Sequence, residues 1–375
     1  MTKELKINHL FEIKTGSAET EINFSISSLQ FLLTPEELPF VRDSIRIQNF
    51  PGDSRIGSRH LIETLSRRES IPPENIFLSV GSSMANFVIW SALLERGDEV
   101  LVEFPAYEPM YRVPRYLGAR VRFLKRDPSD FSLSIEAIER MLSEKTRMII
   151  LTDSHNPSGN QISLEVLQYL QRLANQRKIS IFIDEVYSKY YRDKSLFFDF
   201  PEFIVTSSLT KFYGLGSMRV GWAFAPVEVV EKARNFLDFV SPELPFATMF
   251  LAHLLMGDPI FEVLERRIRE RIRTNRELVV QFLNQTDFLT CYLPKNGILF
   301  FPGMKKKVDM KGFYSILGEK YRMAVTRGAC FQMPRHFRIA AVWDRETMQE
   351  GLTRLESALA EASRASPAEL ADGGS

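Results

Sequence analysis

The sequence predicts an α/β fold, with a mostly parallel central sheet in a large domain and a smaller α+β domain towards the C-terminus. Three observations predict it. Between residues 73 and 226, short apolar or β-branched runs alternate with helix-length stretches, the pattern of strands joined by crossover helices. Three of those runs, at 99–103, 148–152 and 179–183, lead directly into polar or aromatic motifs. Open α/β sheets bind ligands outside the carboxyl ends of their parallel strands, so motifs there are candidate site residues. Beyond residue 286 come two strand-like runs, 298–302 and 337–342, and a helix from Glu346, which suits a separate α+β unit. At 375 residues the chain is long enough for two substantial cores.

Taken in order, residues 1–40 form an arm that carries an alternating run at 22–29. Residues 41–250 form the large domain. Within it 59–68 reads as an amphipathic helix, and Val80-Gly81-Ser82-Ser83 precedes a helical stretch at 84–95 with Ser83 as its N-cap. Residues 163–176 read as one connecting helix. Residues 251–285 are expected to bridge the domains, in a helical stretch that starts near 246 and breaks at Gly257-Asp258-Pro259. Residues 286–362 form the small domain. Residues 363–375, rich in Ala, Ser and Gly, are expected to be disordered. The sequence shows no internal repeat.

Composition narrows the function classes. Hydrophobic content of 45% and charged content of 25% are ordinary for a globular protein. The net charge of +1 gives no electrostatic reason to expect nucleic acid or an anionic membrane as partner. Lys305-Lys306-Lys307 reads as a solvated turn. The basic residues of 266–276 read as an exposed helix face, because Glu is interspersed among them. Two cysteines, Cys291 and Cys330, make no disulfide framework and fit a reducing, cytoplasmic compartment; Cys330 reads as a packed thiol. No apolar run approaches the ~20 residues of a membrane span, and the N-terminus lacks a signal-peptide core. A metal site is not expected, for want of metal-spaced His or Cys pairs. Nor is a dinucleotide site, for want of a Gly-x-Gly-x-x-Gly after a strand. His155 reads as a structural histidine.

The chemistry concentrates around one lysine. Ser208-Leu209-Thr210-Lys211-Phe212-Tyr213-Gly214 and the following residues to Arg219 join strand-like runs at 203–206 and 220–225. A lysine in such a loop is often merely solvated. A reactive lysine needs a neighbouring cation that lowers its pKa, and Arg219 supplies one. Ser208 and Arg219 can also hold a phosphate, through a hydroxyl and a guanidinium fork. A lysine able to form an imine beside a phosphate clamp is what pyridoxal 5'-phosphate (PLP) requires. Gly81, Ser82 and Ser83 add a second phosphate contact. Glycine allows close backbone approach, and the helix start presents free N–H groups.

The strand ends supply the rest. Asp184 closes an apolar run, in Asp184-Glu185-Val186-Tyr187, and a buried carboxylate needs a cationic partner such as a protonated pyridine nitrogen. Tyr107 offers a face for a ring to stack on. Asn156, in His155-Asn156-Pro157-Ser158-Gly159, and Tyr187 offer neutral hydrogen bonds to a phenolic oxygen.

These segments resemble the fold-type I PLP enzymes, specifically the class I/II aminotransferases. The match lies in Ser208-Leu209-Thr210-Lys211 with Gly214-Leu215 and Arg219, in Asn156-Pro157-Ser158-Gly159, in Asp184-Glu185-Val186-Tyr187 and in Phe337-Arg338-Ile339. It runs from about residue 49 to 359 in the family's order. The resemblance implies that Lys211 holds PLP as an aldimine and Asp184 pairs with the ring nitrogen. It implies that Asn156 and Tyr187 bind the ring oxygen, with Tyr107 stacked on the ring. Gly81, Ser82, Ser83, Ser208 and Arg219 would bind phosphate, and Arg338, with Asn156, would bind substrate. It further implies a homodimer and transamination between an L-amino acid and its 2-oxo acid.

The sequence departs from the family in three places. Phe50 stands where a tyrosine usually reaches the neighbouring subunit's phosphate, and it has no hydroxyl to donate. Ser217 replaces a glycine two residues before Arg219. The loop 326–331 lacks the usual Pro-Gly. An elimination, cyclisation or decarboxylation at the same lysine remains the alternative chemistry. A PLP-sensing regulator would need an added DNA-binding domain, for which the arm has no room. Residues 238–245 hold no arginine for a second substrate carboxylate, though Arg327 is a possible substitute, and the uncharged stretch 25–31 suits an apolar pocket. Both features disfavour an aspartate specialist.

Overall fold

The computed structural model describes residues 20–38, 53 and 55–365. Phe50 and residues 366–375 lie outside the described residues.

In chain order the elements are β1 (Ile22–Asn23), α1 (Arg55–Glu69), β2 (Ile76–Ser79), α2 (Ser82–Leu93), β3 (Glu99–Phe104), α3 (Glu108–Leu117), β4 (Arg120–Lys125) and α4 (Ile135–Met141). Then come β5 (Thr146–Thr152), α5 (Leu164–Arg177), β6 (Ser180–Asp184), α6 (Leu196–Asp199), β7 (Ile204–Ser208), β8 (Gly221–Phe224), α7 (Val227–Leu237), α8 (Phe246–Gly257) and α9 (Ile260–Gln285). The chain ends with β9 (Leu289–Thr290), β10 (Leu299–Phe300), β11 (Gly303–Met304), α10 (Met310–Ser315), β12 (Met323–Ala324), β13 (Thr326–Arg327), β14 (Phe337–Ala340) and α11 (Arg345–Ala365).

The larger compact unit holds residues 28–156 and 160–270. Its seven-stranded sheet has the order β2-β8-β7-β6-β5-β3-β4. Only β8 runs against the others, paired antiparallel with both β2 and β7. All six remaining strands therefore present their carboxyl ends at one edge of the sheet. The strands are apolar because helices cover both faces. Ile149, Ile150 and Leu151 of β5 are 0% exposed, and burying each such side chain contributes about 2 kcal/mol. α5 shows how the crossovers are cut to length. Ser163 caps it by accepting a bond from the Val166 N–H, and Lys178 ends it in a left-handed conformation.

The smaller unit holds residues 157–159 and 271–365, together with arm residues up to 27. Its core includes Phe24, Phe300, Phe313, Phe337 and Leu355, all fully buried. The arm joins this unit by a parallel pairing of Ile22 with Met323 and by a bond from the Trp343 indole N–H to the Asn23 carbonyl (3.0 Å).

Several local expectations change. The alternating run 22–29 is a strand only at Ile22–Asn23; residues 20–27 belong to the smaller unit and 28–38 to the larger. The break at Gly257-Asp258-Pro259 is present. The division between units falls at 270/271, inside α9, so α8 belongs wholly to the larger unit. α11 runs to Ala365, so residues 363–365 are helical, carried by the amphipathic helix before them. Among the described residues no single helix is long and apolar enough to cross a membrane.

Candidate active site

The site is built at the carboxyl edge of the larger unit's sheet. Lys211 follows β7, in the turn that returns the chain through Arg219 into β8. Its backbone carbonyl is fixed twice, by the Tyr190 hydroxyl (3.0 Å) and by the Leu29 N–H (3.2 Å). Gly214 tightens this turn. At φ +71° it lies so close to the arm that a Cβ there would come within 2.8 Å of Gln30 and Leu29 backbone atoms. The Lys211 ammonium sits 6.0 Å from the centre of the Tyr187 ring.

Asp184 ends β6 and is 7% exposed. One carboxylate oxygen accepts the Val186 N–H (3.1 Å), the other the Asn86 side-chain amide (3.2 Å). Burial pushes its carboxyl above the usual carboxylate range, and the Val186 and Asn86 bonds and the Lys211 charge pull it back only in part. Among the groups present, burial outweighs the Lys211 charge.

Asn86 is a residue that sequence reasoning missed. It lies four positions after Ser82, one turn into α2, so the Gly81-Ser82-Ser83 helix start and the Asp184 contact share one helix. That spacing was the available signal. Its side-chain oxygen is buried and has no hydrogen-bond partner.

The segments expected to hold a phosphate are closely fitted to one another. The N-cap of α2 is Gly81, at φ 81°, and not Ser83, which lies exposed in the first turn. The helix starts two residues early, with the glycine at its cap in a positive-φ conformation that side-chain-bearing residues rarely adopt. A Cβ on Gly81 would come within 2.6 Å of the Arg219 guanidinium. A Cβ on Gly221 would come within 2.3 Å of the Gly81 backbone. Arg219 itself holds a left-handed conformation at φ 53°, after a 3-10 turn through Ser217. Ser208 is buried at the end of β7 and accepts the Thr210 N–H (3.3 Å). Gly81, the start of α2 and Arg219 are therefore brought together, while Asp184 contacts Asn86 and feels the charge of Lys211, whose ammonium faces the Tyr187 ring.

Tyr107 is the residue preceding α3, and Asn156 is buried in the β5–α5 loop with its N–H bonded to the Thr152 hydroxyl (3.1 Å). His155 is structural: its Nε2 meets the Pro105 carbonyl at 2.7 Å, so that nitrogen carries the proton. Burial and the Arg126 charge hold it neutral. Arg338 belongs to the smaller unit, on β14. It is 1% exposed, and its Nη2 donates to the Ser25 carbonyl (2.9 Å) and the Thr326 hydroxyl (3.1 Å). Arg327 is exposed, with its guanidinium over the Tyr314 ring at 5.0 Å.

A family model described as aminotransferase class I and II matches residues 54–355. The chain belongs to the class I and II aminotransferases. Among curated relatives it is 24% identical to an aspartate aminotransferase of Pyrococcus abyssi, over 95% of this chain and 96% of the relative. It is 29% identical to a histidinol-phosphate aminotransferase of Methanocella arvoryzae, over 51% of each. Among solved structures, a PLP-dependent aminotransferase from Streptococcus suis superposes with a TM-score of 0.88 at 21% identity, covering 96% of this chain and 99% of that one. An aromatic aminotransferase from Pyrococcus horikoshii superposes with a TM-score of 0.81 at 22% identity, covering 95% and 99%. At these identities the structures establish the fold-type I architecture. The aminotransferase is PLP-dependent, and its substrates are amino acids and 2-oxo acids. No finding favours the lyase, cyclase or decarboxylase chemistry.

The residues present fit PLP. The Gly81–Arg219 cradle and the start of α2 suit a phosphate. The buried Asp184 carboxyl, above its ordinary range, suits a partner that brings a positive charge.

Proposed function

We propose that the aminotransferase interconverts an L-amino acid and its 2-oxo acid with Lys211 as the residue that both attaches the cofactor and moves the substrate's α-proton. The observation that carries this reading is the grouping of Lys211, Tyr187, Asp184 and Asn86 at one sheet edge. When bound, PLP supplies an aldehyde that condenses with amines and a protonated ring that takes up the electron pair left by the α-proton.

Each side chain then has a task. Gly81, Ser82, Ser83, Ser208 and Arg219 hold the phosphate. Asp184, oriented by Asn86 and Val186, holds the ring nitrogen's proton. Tyr107 would offer its face to the ring, while Asn156 and Tyr187 would donate hydrogen bonds to its oxygen. The Lys211 amine would serve as the general base that takes the substrate's α-proton and as the acid that gives it back. Arg338 grips the substrate α-carboxylate through a guanidinium fork.

The reading extends to a homodimer and a cytoplasmic location, the latter supported by two free cysteines, of which Cys330 is buried. The dicarboxylate specialist stays disfavoured, and an exposed Arg327 engaged with Tyr314 does not alter that. An amino-donor screen with products identified by mass spectrometry tests the reaction. A 2-oxo acid and a new amino acid in equal amounts are expected. Ammonia or carbon dioxide as the coproduct would refute it.

A further inference from the structure

A chain of buried polar groups ends on the Asn156 backbone. Arg126 and Glu103 form an ion pair whose side chains are 0% and 1% exposed, at 2.7 Å. Both the Nε and the Nη2 of Arg126 donate to one oxygen of Glu103 (2.9 and 2.7 Å). The other Glu103 oxygen accepts the Thr152 hydroxyl at 2.5 Å, and the same hydroxyl accepts the Asn156 N–H at 3.1 Å.

The direction of this chain is fixed. A threonine hydroxyl has one proton, and Glu103 takes it, so towards Asn156 the oxygen can only accept. A second route leaves the same arginine. Its Nη1 donates to the carbonyl of Phe131 (2.7 Å), which holds the left-handed φ of 58° that bulky residues seldom adopt. The Phe131 ring lies 6.1 Å from the ring of His155, the residue before Asn156. A buried ion pair is a weak source of stability, and its best-attested use is to fix a unique arrangement. Here the element it fixes is the loop that follows Thr152, the last residue of β5.

We infer that Glu103, Arg126 and Thr152 are positioning residues of the aminotransferase, which set the register of Asn156 against the cofactor ring through the Thr152 hydroxyl. This rests on the role of Asn156 proposed above. None of the three touches substrate or ring in this account. They act through the backbone of the residue that does, where a displacement of about 1 Å can cost on the order of 100-fold in rate.

The test compares Thr152→Val with Thr152→Ser in the PLP-loaded enzyme. Valine keeps the shape and removes the hydroxyl; serine keeps the hydroxyl. The readouts are the pH midpoint of the visible cofactor band and kcat/KM. A donor to the ring oxygen favours its negative form, so loosening Asn156 should move the valine variant's midpoint up by about 0.5–1 pH unit, the shift carried by one hydrogen bond of ordinary net strength. A fall of about 10–100-fold in kcat/KM should accompany it, and serine should restore both. The valine effect should vanish in an Asn156→Ala background, because the two residues act as one unit. Should the valine variant not fold, Thr152→Ala against Thr152→Ser poses the same one-hydroxyl comparison. An unmoved midpoint and unchanged kinetics on loss of the hydroxyl overturn the inference. Failure of the underlying reading looks different: Asn156→Ala alone would then leave the wild-type midpoint in place.

Discussion

Glu185→Gln should flatten the decline of stability with rising pH. Glu185 is 6% exposed behind the Asp184 strand end, and its carboxyl accepts the Leu196 N–H (2.9 Å). Burial raises its pKa from 4.5 to about 8, with the charge of Glu69 adding to the rise and the Ser195, Leu196 and Lys189 contacts opposing it. The sign follows from proton binding. Between pH 4.5 and about 8 the folded state keeps a proton that the unfolded state has released, so stability falls across that window and levels off above it. A rise of that size corresponds to about 5 kcal/mol at 1.36 kcal/mol per unit. With about 2.1 cal/mol/K of unfolding entropy per residue over 375 residues, this amounts to a Tm difference of about 6 °C. Glutamine keeps the acceptor for Leu196 and cannot ionise. Thermal unfolding of both proteins at pH 5 and pH 8.5 should show the gap between them shift in favour of the variant by about 5 °C, since part of the effect is already present at pH 5. Parallel Tm profiles would refute the placement of Glu185 as a buried neutral acid.

Other outcomes follow from the site. Asp184→Asn should keep PLP bound and lose about 10–100-fold in kcat, the scale of one hydrogen bond to a charged group, as read by steady-state kinetics. Gly81→Ala should weaken PLP binding about 10-fold in a fluorescence titration, because the new Cβ displaces the Arg219 guanidinium and strains a backbone at φ +81°. Arg338→Lys should raise the amino-acid KM and lower kcat, together about 10–100-fold in kcat/KM, with the visible band intact. Light scattering should find a dimer; a fully active monomer would contradict the homodimer proposed above.

The strand-end residues were legible because each follows an apolar run whose burial needs no partner to be foreseen: 148–152 before Asn156, 179–183 before Asp184. Such runs mark both the sheet and its carboxyl edge. What the sequence hid depends on long-range company. Glu103 and Arg126 lie 23 positions apart and look like surface charges until β3 and β4 are paired and covered. Asn86 carries no motif; only the helical turn from Ser82 places it under Asp184. Ser83 looked like the cap because serine favours that position, but the positive φ of Gly81 set the helix start instead. The arm's alternation delivers Ile22 and Phe24 to the smaller unit's core, a destination the alternation by itself does not specify.

The central claim is that Lys211 is the residue that carries the cofactor. Borohydride reduction of the yellow enzyme, followed by peptide mapping, tests it most directly. The visible band should be lost and a single pyridoxyl adduct should appear on the peptide containing Lys211, absent from Lys211→Ala. An adduct on a different lysine, or a reducible band that survives in Lys211→Ala, would contradict it.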